Sequence, residues 1–298
     1  MATIGVMIEA QEGLDWEHWR RIVAESERLG FASLRCSDHC LSVVGVEGRR
    51  SLQTWIALAL AAEWSERIQI GPMVSPITFY VPAVLARMAL AVDELAAGRL
   101  LLGVGTGWNQ LEHEAMGIPF PSLRERFDML EAGIARIRSV AGGHRIPILI
   151  GGGGEKRTLA IAAREASEWN LLGHDADDYR AKSALLDERC REVGRDPSEI
   201  RRSQMAGYLI GRDEAALEAR ALRLAEVLPS LQGESAAAIV SWLREQTGRW
   251  FAGTPEEIVE KLRPYVAAGV DLFMFQHYLL DDVEGLELVA TEVMPRLA

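Results

Sequence analysis

The run Ser37-Asp38-His39 sets a hydroxyl, a carboxylate and an imidazole side by side just after a short apolar stretch. An imidazole titrates near neutral pH, so His39 can give or take a proton during a reaction. The same run also reads as a structural histidine oriented by Asp38 within a loop. A second candidate is Gly103-Val-Gly-Thr-Gly107-Trp108-Asn109, whose glycines let backbone approach a flat ligand and whose Trp108 could wall a pocket. Its spacing does not match the dinucleotide fingerprint, and a glycine-rich bend is the alternative. The third is Gly151-Gly-Gly-Gly154-Glu-Lys-Arg-Thr158, which runs into a helical pattern. Free backbone N–H groups at a positive helix end make a phosphate cradle, with Lys156 and Arg157 in the first turn. So flexible a run carries a folding entropy cost that a plain turn would not need. It lacks the Gly-Lys-Ser/Thr ending of a nucleotide triphosphatase loop.

These residues need elements that bring them together. Runs rich in branched side chains recur at Thr3–Ile8, Phe31–Cys36, Ile68–Val74, Leu100–Val104, Ile146–Ile150, Glu168–Leu172, Gln204–Ile210 and Asp271–Phe275, with helical periodicity between them. Strands alternating with helices imply parallel pairing and right-handed crossovers. Eight such units in 298 residues fit a closed (β/α)8 TIM barrel better than an open doubly wound sheet. Helix signals agree. Asp15 is placed to cap a helix and Gly30 to end it, Pro82 suits a first turn, and Ser122…Glu125 and Thr254…Glu257 read as capping boxes. The stretch 212–250 is longer than a crossover requires and holds two helical patterns, Glu214–Val227 and Ser235–Gln246, an inserted excursion after strand seven. No linker or compositional break divides the chain, so residues 1–298 read as one domain.

In such a barrel the chemistry sits just past the C-terminal ends of the strands, where all three candidate runs fall. Glu9 and Gln276-His277 fall at the same rim. Glu112-His113 suggests a metal at first sight, but adjacent helical residues diverge and no HExxH spacing accompanies them, so no metal is expected.

Composition narrows the partners. Hydrophobic residues make up 49% and charged residues 25%, as in a globular enzyme with a large core. A net charge of −11 without a basic run disfavours nucleic acid and anionic membranes. No stretch is apolar enough to span a bilayer, and the N-terminus has no basic region ahead of an apolar one, so the cytoplasm is the expectation. Cys36, Cys40 and Cys190 form neither an even disulfide set nor a CxxC pair and read as reduced thiols.

Taken in order, the motifs resemble the luciferase-like monooxygenase family, especially its coenzyme F420-dependent branch. The resemblance rests on Leu29-Gly-Phe31 leading to Ser37-Asp38-His39, on Ile70-Gly-Pro-Met-Val-Ser-Pro76 followed by Tyr80–Ala86, and on Asp93-Glu-Leu followed by Gly98-Arg99. It continues through Gly103–Asn109, Glu125-Arg-Phe127, Ile150–Thr158, Ala166–Asn170, Gly253–Glu257 and Gly269–Phe273. It implies a TIM-barrel oxidoreductase, a homodimer, that uses coenzyme F420 for hydride transfer to or from a small organic substrate. The alternatives are an FMN-dependent monooxygenase and a non-catalytic flavin-binding barrel.

By that resemblance His39 lies near the reactive ring carbon, and His39, Asp38 and Asn109 are the residues expected to take part in the chemistry. Met73 and Ser75 would line the ring, and Gly105, Thr106, Gly107 and Asn109 would contact its edge. Gly151, Gly152, Gly153 and Gly154 would hold the ribityl phosphate. A non-prolyl cis peptide is expected at Pro72–Met73. Two departures stand out. The deazaflavin sugar-phosphate dehydrogenases carry a glutamate where this chain has Trp108, so their substrate does not carry over. The connection Ala141-Gly-Gly-His-Arg145 ahead of strand five is also short, where relatives have a longer insertion.

Overall fold

The structure, a computed structural model, describes residues 2–46 and 48–297. Among the described residues there are ten strands: β1 (Thr3–Ile8), β2 (Ser33–Cys36), β3 (Gln69–Pro72), β4 (Ser75–Pro76), β5 (Leu102–Gly105), β6 (Ile148–Gly151), β7 (Glu168–Leu172), β8 (Arg201–Ile210), β9 (Trp250–Gly253) and β10 (Leu272–Gln276). Between and after them run α1 (Trp16–Arg28), α2 (Thr54–Trp64), α3 (Pro82–Leu95), α4 (Gln110–Met116), α5 (Leu123–Ala141), α6 (Thr158–Glu165), α7 (Ala176–Glu192), α8 (Glu214–Val227), α9 (Ala236–Glu245), α10 (Pro255–Ala267) and α11 (Val283–Leu288).

Every ladder is parallel. The strand order is β3-β2-β1-β10-β8-β7-β6-β5-β4, and the parallel bridge Ile70–Leu100 joins the two ends of that order. β3 and β4 are thus two halves of one barrel stave, and eight staves close a TIM barrel. Seven of the eight expected strands match with shifts of up to three residues at their ends, and the third, expected over Ile68–Val74, covers β3 and stops short of β4. The cis peptide lies at Met73–Val74, between β3 and β4, one bond beyond the expected Pro72–Met73.

The helix-end signals act as read. Asp15 accepts from the His18 N–H, Ser122/Glu125 and Thr254/Glu257 form reciprocal capping boxes, and Pro82 opens α3. Gly30 ends the first β/α unit at φ +78°, where a side chain would be strained.

The barrel interior holds Met7, Met73, Leu101, Leu149, Leu272 and Met274. Beside them is a buried polar cluster. Arg35 donates to the Gln69 side chain at 2.8 Å and to the Ile70 carbonyl at 3.1 Å, and lies 3.6 Å from Glu168, which accepts from Ser203 at 2.8 Å. Burial pushes the Arg35 guanidinium down to about 10, against the pull of Glu168.

The excursion after strand seven has more structure than its two helices. α8 and α9 lead into β9, which adds in parallel to the outer half of β8 at Gly207–Ile210. Leu217, Ala221 and Leu224 of α8 and Ile239, Val240 and Leu243 of α9 form their own apolar cluster with Leu209. A buried ion pair, Arg220 to Asp282 at 2.7 Å, ties α8 to the segment after β10. Among the described residues no helix is long and apolar enough to cross a membrane.

Candidate active site

Side chains alternate along a strand, and this decides which residues reach the barrel mouth. Glu9, just past β1, is buried there and accepts from Gln276 at 2.6 Å and from Gln11 at 2.9 Å. Ser37 joins the same cluster, donating to Gln11 at 2.5 Å and accepting from the Ala10 N–H at 2.9 Å.

His277 does not join it. Leu272 and Met274 of β10 point into the barrel while Phe273 and Phe275 pack outward, so His277 follows the outward set. Its Nδ1 lies 2.7 Å from the Tyr208 hydroxyl, and its Nε2 is buried without a partner. Burial depresses its pKa to about 4, leaving it neutral.

His39 and Asp38 also part company. Asp38 is buried, accepting from Ser75 Oγ at 2.5 Å and from the Tyr80 hydroxyl at 2.9 Å. Burial raises its pKa despite those hydrogen bonds. The Ser75 hydroxyl is therefore engaged by Asp38 rather than free to line a ring.

His39 is half-buried, and its Nδ1 lies 2.8 Å from Glu112 Oε2. The other oxygen of Glu112 accepts from the backbone N–H groups of Cys40 at 2.6 Å and Leu41 at 3.1 Å. Further along the same loop, Glu12 accepts from Val43 N–H at 2.8 Å and pairs with Arg49 at 2.6 Å. Two buried acids thus clamp the loop that carries His39. Burial pushes the His39 imidazolium down, but the hydrogen bond and charge of Glu112, with Glu9 and Asp38 behind, raise it on balance. Trp108, exposed at 64%, meets the His39 ring edge-on at 5.7 Å.

Nothing in the sequence ties Glu112 to His39, since it sits 73 residues away, beside a histidine that invites a metal reading. His113 turns the other way, bonded to the Asn109 carbonyl at 2.7 Å and to Thr78 at 2.8 Å. Among the described residues no three His, Cys, Asp or Glu side chains gather to hold a metal. The Asn109 side chain caps α4, accepting from the Leu111 N–H at 3.1 Å, so its amide oxygen is committed to the helix. Gly107, at φ +73° with Thr78 close by, leaves no room for a side chain. Met73 is buried in the inner cluster, next to the bend at Val74.

The glycine loop after β6 differs in detail from the expectation. It passes through a turn at 155–157 before α6 begins at Thr158. Arg157 packs over Phe127 and pairs with Glu131 and with Asp128 at 2.8 Å, so its charge is directed to α5. The loop is pinned through Gly152, whose N–H donates to Asn170 O and whose carbonyl accepts from Trp169 Nε1, both at 2.9 Å. The backbone N–H groups of Gly153, Gly154, Glu155 and Lys156 have no hydrogen-bond partner among the described residues. Four neighbouring unpartnered donors suit the oxygens of a phosphate, so the chain fits the phosphate of a flavin or deazaflavin here.

Comparison with known proteins agrees with this architecture. The chain is 27% identical to the F420-dependent hydroxymycolic acid dehydrogenase of Mycobacterium tuberculosis, over 93% of this chain and 84% of that one. It is 26% identical to the F420-dependent glucose-6-phosphate dehydrogenase of Beutenbergia cavernae, over 91% and 90%. Among solved structures, an F420-dependent secondary alcohol dehydrogenase in complex with an F420–acetone adduct superposes with a TM-score of 0.83 over the whole of both chains, at 19% identity. The family profile of luciferase-like monooxygenases matches residues 1–133 and 131–272. The chain belongs to that family.

Proposed function

We propose that this protein is a coenzyme F420-dependent oxidoreductase that moves a hydride between the deazaflavin and a small organic substrate, within one barrel domain spanning residues 1–298. Both relatives described above are named for F420, and each aligns with more than nine-tenths of this chain. The observation that carries the reading is the His39–Glu112 pair, an imidazole anchored at one nitrogen at the C-terminal end of β2.

When bound, the deazaflavin supplies hydride donation or acceptance at a ring carbon, chemistry that no side chain offers. The protein's residues do the rest. His39 Nε2 takes up or hands over the proton that balances a hydride moved to or from a carbon–oxygen bond. The free N–H groups of Gly153 to Lys156 hold the phosphate, and Met73 with Gly105, Thr106 and Gly107 shapes the ring site. Asp38, Ser75 and Tyr80 brace the floor beneath His39, and the Asn109 cap fixes the start of α4. Trp108 takes the place of the acid that sugar-phosphate dehydrogenases carry, which points to a substrate other than a sugar phosphate.

We take the working form to be a homodimer, by family resemblance, and the compartment to be reducing, which suits the free, exposed thiol of Cys40. Titration of the purified protein with F420 and with FMN, followed by ring fluorescence, tests the assignment. Saturable binding of F420 at least tenfold tighter than FMN is expected. Preference for FMN would transfer the chain to the monooxygenase reading.

A further inference from the structure

We propose that Glu112 is a positioning residue for His39, fixing the proton on Nδ1 and leaving Nε2 as the one nitrogen that serves the barrel mouth. The inference rests on the reading of His39 as the proton-handling group. Its geometry is local and complete. Glu112 is 1% exposed, in the first turn of α4, and its Oε2 lies 2.8 Å from His39 Nδ1. An ionised carboxylate only accepts hydrogen bonds, so Nδ1 must carry a proton and donate. His39 Nε2 has no hydrogen-bond partner among the described residues.

Three acids face the ring: Glu112 from α4, Asp38 from the end of β2 and Glu9 from the end of β1. Only Glu112 touches it. Asp38 is bonded to Ser75 and Tyr80, and Glu9 to Gln276 and Gln11. The remaining neighbour, Trp108, brings a ring edge without a titrating group. Burial alone favours the neutral imidazole, and the Glu112 contact reverses that direction. Burial likewise acts to raise Glu112, and His39 with the Cys40 and Leu41 N–H groups outweighs it, so the acid stays ionised.

A simpler role would have Glu112 only staple the loop through Cys40 and Leu41. The two roles separate in the titration of His39. Glu112→Gln keeps an oxygen for the backbone donors but removes the charge facing Nδ1, whereas Glu112→Asp keeps the charge. The test is NMR of protein labelled with 13C and 15N at histidine, without cofactor, with His39 assigned from its loss in His39→Ala. In the wild-type protein His39 should titrate above 6.5 with Nδ1 protonated throughout. Its midpoint should fall by one pH unit or more in Glu112→Gln and be at least partly restored in Glu112→Asp.

An unshifted midpoint in folded Glu112→Gln would overturn the proposal. So would an unprotonated Nδ1 in the neutral wild-type ring, a result that needs no variant to fold. F420 fluorescence titration of wild type is read separately. Failure to bind F420 would sink the cofactor assignment while leaving the histidine titration to stand or fall alone.

Discussion

The carboxylate of Asp38, just past β2, accepts a hydrogen bond at 2.5 Å from Ser75 Oγ, at the start of β4. Tyr80 supplies the second donor at 2.9 Å. A buried carboxylate that loses a donor keeps its desolvation penalty, so Ser75→Ala and Tyr80→Phe should each destabilise by about 1–3 kcal/mol. Urea denaturation at neutral pH measures this, and losses below 0.5 kcal/mol would show that the pair does not brace the floor. Because burial raises Asp38 above its ordinary 3.8, the folded state binds its proton more tightly. Its contribution to stability therefore declines as pH rises from 3.8 through the raised value, and Asp38→Asn should abolish that decline.

His277 gives the opposite sign. Burial holds it near 4, below its ordinary 6.5, so the unfolded chain binds the proton first. Stability contributed by the neutral ring is present above 6.5 and is lost as pH falls toward 4, on the order of 3 kcal/mol. Denaturation midpoints measured across that range should fall steeply in the wild-type protein and less in His277→Phe. Equal slopes would mean that the ring is hydrated in solution.

Much of the fold was legible because its signals are local. Strand runs, capping boxes at Ser122 and Thr254 and the glycine stop at Gly30 each depend on residues within a few positions. β9 escaped because Trp250-Phe-Ala-Gly253 is four residues long and gains its identity only by pairing with β8. At the site, sequence drew attention to His39 but could not choose its partner. Asp38 is its neighbour in the chain, yet its carboxylate is bonded to Ser75 and Tyr80. Glu112 reaches it from another β/α unit, by a contact that exists only once the barrel closes. The same blindness put His277 at the mouth and Arg157 at the phosphate.

Gly152 sits at φ +109°, so Val there strains the backbone and confounds a binding test with folding. Gly151 is the better probe. A Cβ at 151 would meet only Val74, at 3.7 Å, an ordinary contact. Gly151→Ala should therefore keep the wild-type melting temperature while weakening cofactor binding about tenfold, some 1.4 kcal/mol. Unchanged affinity by fluorescence titration would place the ligand away from this loop.

Closure of the barrel depends on an absent side chain. A Cβ on Gly71 would lie 2.0 Å from the Leu101 carbonyl oxygen and 2.9 Å from the Arg35 guanidinium, and the first of these is backbone that cannot swing aside. Gly71→Ala should open the seam between β3 and β5 and cost about 3 kcal/mol or more. Soluble, wild-type-like protein by thermal melting would contradict the tight seam.

The most direct functional prediction concerns His39. Its ring is half-buried and held through one nitrogen, so removing it leaves a small void in a loop that Glu112 and Glu12 still clamp. Stability should fall modestly, and the phosphate loop lies on a different unit, so cofactor affinity should change little. The rate should not survive as well. Losing a positioned proton carrier commonly lowers turnover by about a hundredfold or more, and His39→Ala should do so with a substrate found by screening alcohols, aldehydes and ketones. His39→Asn, which keeps bulk and hydrogen bonding but cannot carry a proton at neutral pH, should be as slow. If His39→Asn keeps wild-type turnover when saturated with cofactor, the imidazole serves packing and Glu9 becomes the candidate proton carrier.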